Sequence, residues 1–255
     1  MGRRSAALAL LVSACGRVDF DAHGDGALGD DAHVGDGAKA LDAFVAYQTP
    51  ALVQENATAA GGPISGIGVA YTSDVHAGDL IVVGINWSTG APTPNLVNTT
   101  DAMGDAFTTV LGPFDGDGSR SYIVIAPIAA NGPDSITISM DAAATVVDLR
   151  IHEFSGVALV TTPDDGSSVS GTDAAPATVS GAPVTTTTAN DLVFSMVLCG
   201  TCEAATPDID AQDYDGDVTE YLIASTPGMY TSRAMLLGGM GYAFTTVALH
   251  AQVAP

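Results

Sequence analysis

Cys199-Gly-Thr-Cys202 is the pair of side chains in this sequence whose spacing most suggests chemistry. Two thiols so placed suit a redox site when a following helix lowers a thiolate pKa. Here the pair follows the strand-length apolar run Leu192 to Leu198, with no helical pattern around it. Two sulfurs cannot complete a tetrahedral zinc site, and no suitably spaced His pair accompanies them. The residues predict a local disulfide between Cys199 and Cys202, with free thiols or a redox or metal pair as the alternatives.

Asp208-Ile-Asp210-Ala-Gln-Asp213-Tyr-Asp215-Gly-Asp217 is the densest acidic stretch. Its carboxylates repel one another unless they are hydrated or share a cation. Calcium suits them in kind, because it is a hard ion that takes Asp oxygens from flexible loops. The spacing is not that of an EF-hand: counting back from Gly216 puts Ala211 at the first ligand position and Leu222 at the twelfth. Two readings stand, a calcium site built from Asp208, Asp210, Asp213, Asp215 and Asp217, or a solvated loop. Asp115-Gly-Asp117 is a shorter version of the same signal.

Glu153 continues the apolar row Val147, Leu149, Ile151, and a carboxylate at the end of a core-facing row must accept hydrogen bonds or raise its pKa. The sequence therefore casts it as the anchor of the Ser155-Gly156 turn, with a catalytic acid as the alternative. Glycosidases need a second opposed carboxylate. Glu55, Glu203 and Glu220 all lie in turn-like or loop-like sequence, and Asp is too plentiful to single one out. His152 and His250 alternate toward the expected solvent face. Trp87 keeps register with Ile81, Val83 and Ile85, which points to core packing before a sugar-stacking platform. No nucleophile elbow, phosphate loop, zinc-protease motif or dinucleotide fingerprint occurs, so no catalytic residue is assigned.

The elements that must position these groups are strands. Asp79 to Trp87, Ser121 to Ala126, Ser135 to Met140 and Ala243 to Val253 are short runs rich in β-branched residues, separated by Gly, Pro, Asn and Asp. About twelve such runs predict an all-β chain, an antiparallel, jelly-roll-like β-sandwich. His76-Ala-Gly-Asp-Leu-Ile-Val-Val83 and Thr188-Ala-Asn-Asp-Leu-Val-Phe-Ser195 repeat one turn-then-strand signal. That echo marks a duplicated sandwich or two equivalent strands within one.

Charge narrows the partners. The whole chain has a formal net charge of −22, and residues 47–255 hold only Arg120, Arg150 and Arg233 as basic groups. Such a surface repels phosphate backbones, so nucleic acid is excluded as a partner. Neutral sugars, cationic proteins and calcium remain compatible with it. Residues 15–46 are rich in Asp, Gly and Ala with sparse apolar groups, a composition that does not offset chain entropy and reads as a disordered tether. A chain of ~30 such residues reaches roughly 30 Å.

Ahead of the tether, Arg3-Arg4 precedes a short apolar run from Ala6 to Ala14 and then Cys15. The run is too short to span a hydrocarbon core of ~30 Å and reads as an export signal over residues 1–14. Val12-Ser13-Ala14-Cys15 resembles the lipobox of bacterial lipoproteins. That resemblance implies acylation of Cys15 and a mature chain moored to a membrane by its lipid. Each buried methylene contributes about 0.8 kcal/mol, so two or three chains hold firmly where one does not. Gly16, in place of Asp, favours the outer membrane or cell surface.

The order AGDLIVV (77–83), TDAMGDAFT (100–108), RSYIVIAPIAANGPDSITISM (120–140), LRIHEFSG (149–156) and ANDLVF (189–194) is similar to a β-sandwich module of secreted and surface bacterial proteins. The similarity implies a fold for 47–255 and no catalytic residues. The expected role is a lipid-anchored envelope protein with a non-catalytic sandwich that binds a glycan or a surface protein, or builds the coat. A secreted polysaccharide hydrolase and a calcium-stabilised structural lipoprotein are the rivals.

Overall fold

Runs such as Leu80–Ser88 and Asp191–Leu198 are apolar at most positions instead of at alternate ones, the pattern of strands covered on both faces. The computed structural model describes residues 45–88, 90, 93–204, 210–214, 216–238 and 241–255. Both runs are buried along almost their whole length, and the architecture follows from that double burial.

The first half of the chain supplies β1 (Ala51–Ala70), β2 (Leu80–Ser88), β3 (Leu96–Asp101), β4 (Thr108–Gly116), β5 (Ser119–Pro127) and β6 (Ser135–Ser155). The second supplies β7 (Asp165–Thr172), β8 (Ala177–Ser180), β9 (Val184–Thr186), β10 (Asp191–Leu198) and β11 (Cys202–Ala204). It continues through β12 (Asp210–Tyr214), β13 (Asp217–Ala224), β14 (Gly228–Tyr230), β15 (Arg233–Leu236) and β16 (Gly241–Leu249). The fold is all-β and every pairing between these strands is antiparallel. Among the described residues sixteen strands stand where about twelve were expected, because β8, β9, β11, β14 and β15 are too short to show as apolar runs.

The expected sandwich is present twice. One inner sheet runs β1-β6-β2-β5-β4 and the other runs β7-β16-β10-β13-β12, the same order strand for strand. The outer layers correspond as well: β3, the start of β6 and the end of β1 in one half match β11, β15 and β8 in the other. In the first half β1 and β6 bend from inner to outer layer as long strands, with register shifts between Gly61 and Gly66. In the second half the matching segments are broken into shorter strands.

The sequence echo sits at corresponding points of the two halves. Gly78 and Asn190 both take positive φ, 95° and 69°, a conformation open to Gly and tolerated by Asn. The Gly78 amide donates to the Ile128 carbonyl at 3.0 Å, and the Asn190 amide to the Ala224 carbonyl at 2.7 Å. The strand that follows each turn is the middle strand of its inner sheet.

Of five apolar clusters among the described residues, the three largest hold these layers together. Ile81, Val83, Ile85, Trp87, Val147 and Leu149 pack one face of the first inner sheet against Ile136, Ile138 and Met140 of its outer layer. Val197, Val218 and Phe244 do the same in the second half against Val179, Ala234 and Leu236. Between them, Leu80, Val82, Ile123, Ile125 and Phe154 meet Leu192, Phe194, Val247 and Leu249, so the two inner sheets face each other across a dry seam. Each such side chain contributes roughly 1.5–3 kcal/mol when removed from water. Trp87 is in the core, 1% exposed, with its ring 5.2 Å from that of Tyr122.

The seam corrects one expectation. His152 does not face solvent; it is 1% exposed, because the sheet face it shares with Phe154 is covered by the second half. Glu55, Glu203 and Glu220 lie in β1, β11 and β13, not in turns or loops.

Candidate functional site

Away from its apolar end the seam becomes polar. The Thr219 hydroxyl lies 3.1 Å from His152 Nε2, and the Ser121 and Thr245 hydroxyls are 2.7 Å apart. Arg150 is fully buried on the same row of β6 as His152. Burial drives the His152 imidazole down to about 3, and the Arg150 charge adds to that fall, against a backbone hydrogen bond to Val82. The ring is therefore neutral at any physiological pH.

Beyond these residues the seam opens into a cleft of about 290 Å³. Asn86 and Ser88 reach it from the end of β2, Asp148 from β6, and Asp217 from the start of β13. Leu198, Cys199 and Gly200 close one side at the end of β10. Asp117 enters from the tight turn between β4 and β5, where Asp117 and Gly118 take φ of 48° and 71°, the backbone of a two-residue hairpin turn. Its carboxylate occupies the space that a side chain at position 241 would need, which explains the glycine there.

Asp217 ties the cleft together. Its Oδ1 accepts from the amides of Cys199 and Gly200 at 2.8 and 3.1 Å, and Asn86 Nδ2 donates to its Oδ2 at 3.2 Å. Asn86 is paired directly with Asp148 across the β2–β6 ladder. It is 4% exposed, and among the described residues its Oδ1 accepts no hydrogen bond. Burial, and then repulsion from Asp217, raise the Asp117 carboxyl above its ordinary value. Cys199 and Cys202 are disulfide-bonded and buried, so the bond braces the loop carrying Gly200. The cleft thus offers oxygen atoms, excess negative charge and no free thiol.

The acidic run that the sequence singled out is not a simple loop. Residues 210–214 and 217–224 form an antiparallel hairpin, with Asp213 opposite Val218 and Asp210 opposite Tyr221. Asp208 and Asp215 lie outside the described residues, and Asp210 and Asp213 are described by their backbone. Of the five, Asp217 is the one the structure places in the cleft. Asp115 is committed elsewhere: Arg120 Nε and Nη2 donate to its two oxygens at 2.6 and 2.7 Å, which lowers its pKa.

Glu153 is fully buried and anchors a different turn from the one expected. Its Oε1 accepts from the His76 amide at 2.7 Å, and its Oε2 accepts from Gln54 Nε2 at 2.6 Å. His76 Nδ1 lies 3.1 Å from Oε1, and Asp79 is close enough for burial and the Glu153 carboxylate to raise its pKa. The matching turn of the second half holds Asp164, Asp191 and His250 together. Asp191 is fully buried there and accepts from the amides of Thr187, Thr188 and Ala251. Both triads have metal-ligating types within reach of one another, and in each the buried carboxylate also accepts a turn amide.

Local sequence could not show the cleft. Asn86 and Asp217 are 131 positions apart, and the only local trace is the pair of acidic Gly turns, Asp115-Gly116-Asp117 and Asp215-Gly216-Asp217.

No protein family and no curated protein matches this chain. Among solved structures, oxalate decarboxylase from Bacillus subtilis at pH 4.6 is similar over 82% of this chain and 78% of that chain. Sequence identity is 9% and the TM-score 0.20, and a likeness of that size carries no argument. What the fold and the cleft define is a class: an all-β double sandwich with an acidic seam.

Proposed function

We propose that this chain is a lipid-anchored envelope protein whose double sandwich binds a ligand at the acidic seam and does no catalysis. The observation that supports it is the cleft itself, lined by Asp117, Asp148 and Asp217 with Asn86 and two serines but without a cysteine thiol or histidine. Such a lining can hold a cation or the hydroxyls of a sugar, and lacks a nucleophile paired to a base. The lipobox-like Cys15, which lies outside the described residues, and the Asp-rich stretch after it support a tethered location at the outer membrane or cell surface.

Cys15→Ser tests the location. The variant is expected to lose acyl labelling and to leave the membrane fraction almost completely, whereas persistence there would remove the anchor from the reading. Glycan arrays and pulldowns on the full chain test the binding role, and consistent silence against envelope and extracellular polymers counts against it.

The hydrolase alternative depends on Glu153, and burial argues against it because a general acid must reach the substrate. Glu153→Gln is expected to destabilise the fold by about 1–3 kcal/mol, since an amide cannot accept from both donors that the carboxylate satisfies. No polysaccharide turnover should depend on it. Hydrolysis that vanished in the variant at full folding would reverse the ranking.

A further inference from the structure

We propose that the cleft at the seam is a calcium-type site, holding one hydrated divalent cation among Asp117, Asp148, Asp217 and the Asn86 side-chain oxygen. Water bridges part of the way, because the three carboxylates do not all lie within 4.8 Å of one another. The inference rests on the cleft being the ligand site and names the chemical class it takes.

Four features carry it. The polar side chains lining the cleft are Asn86, Ser88, Asp117, Ser119, Asp148 and Asp217, an all-oxygen acceptor set. Cys199 also touches the cleft, but its sulfur is locked in the disulfide. Carboxylate, amide and hydroxyl oxygens select hard ions such as calcium over thiolate-seeking metals. The second feature is Asn86 Oδ1, buried and without a donor among the described residues. Its orientation is fixed, because the Nδ2 of the same amide is held by Asp217. A buried acceptor so held is costly unless something supplies positive charge.

The third feature is charge. Asp117, Asp148 and Asp217 line one cleft whose lining holds no basic residue, and the mutual repulsion of such carboxylates is what a shared cation turns into attraction. The fourth is size. A space of about 290 Å³ exceeds a bare ion, and leaves room for the waters with which calcium completes six to eight ligands. The site differs from a loop-borne one in that its donors come from three strands and a hairpin turn of both halves.

The test uses the full chain stripped with EDTA and titrated with calcium chloride by calorimetry, beside thermal melts. One saturable site is expected, with Tm raised by about 5 °C at calcium 100-fold above Kd. Asp117→Asn is the informative variant, because Asn tolerates the positive φ of that turn. It should bind calcium at least about ten-fold more weakly, while its metal-free Tm stays within about 2 °C of the parent's, since the residue is exposed and the side chain keeps its shape. The double variant Asp208→Asn, Asp215→Asn should bind as the parent does.

Absence of binding would overturn the proposal, as would unchanged binding in Asp117→Asn. Loss of binding in the Asp208, Asp215 double variant would move the ion to the acidic hairpin and also overturn it. Calcium binding in Cys15→Ser reports on the cleft whether or not the chain is anchored, so failure of the anchoring reading is seen separately.

Discussion

Phe194→Ala is expected to lower the stability of the whole double sandwich by about 3–5 kcal/mol, the usual range for a fully buried phenylalanine. The reason lies in where the ring sits. Phe194 belongs to the second half, but its edge meets the His152 ring at 4.9 Å and the Phe154 ring at 6.4 Å, both from the first half. It is part of the apolar seam that covers one face of each inner sheet. Opening that seam exposes both sheets at once, so the halves should unfold together.

The chain's single tryptophan makes this measurable. Trp87 lies in the first half, in the core on the far face of its sheet, away from the seam. Its fluorescence in a denaturant titration should therefore shift to a lower midpoint when Phe194 is truncated in the other half. The Trp87 transition should also coincide with loss of β signal in circular dichroism. An unmoved Trp87 midpoint would mean that the two sandwiches are thermodynamically independent.

The second large effect is a pH dependence set in the same seam. His152 titrates near 6.5 in an unfolded chain, but burial holds it neutral in the folded one down to about 3. The unfolded state therefore binds the extra proton between these values. Stability from this group is complete above about pH 6.5 and falls as pH drops toward 3, by up to about 1.4 kcal/mol per pH unit. His152→Gln cannot take up that proton. It should be less stable than the parent at pH 7.5, because the packing against Phe154 and Phe194 is lost. Its deficit should shrink by about 2 kcal/mol on going to pH 5. A deficit independent of pH would show that His152 is not held neutral.

Glu220 acts with the opposite sign. Burial lifts its carboxyl to about 7, against hydrogen bonds from Arg233 and Ser232 that lower it. The folded state keeps a proton that the unfolded state sheds above about 4.5. That contribution is fully present at acid pH and is lost as pH rises through about 7. The two groups therefore bracket the stability optimum from either side.

The Asp208–Asp217 stretch stood out because five like residues are close in sequence. Ladder pairing turns part of it into a hairpin, and its last member, Asp217, lines a cleft with Asp117 and Asp148 from a turn and a strand of the other half. Asp148 and Asn86 gave no local signal, since each is one polar residue within a buried strand.

By itself the sequence determined the class of secondary structure and the turn chemistry. Short β-branched runs leave few alternatives to strands, and the Gly78 and Asn190 turns depend on backbone geometry that a few residues encode. It also carried the trace of duplication, in the paired turn-and-strand segments at His76 and Thr188. Tertiary structure alone decided which strand faces meet. Alternation tells two faces of a strand apart but not what covers each, so His152 read as exposed until a second sheet lay over it. The cleft belongs to that same decision, because its donors are neighbours only once the two sandwiches stack.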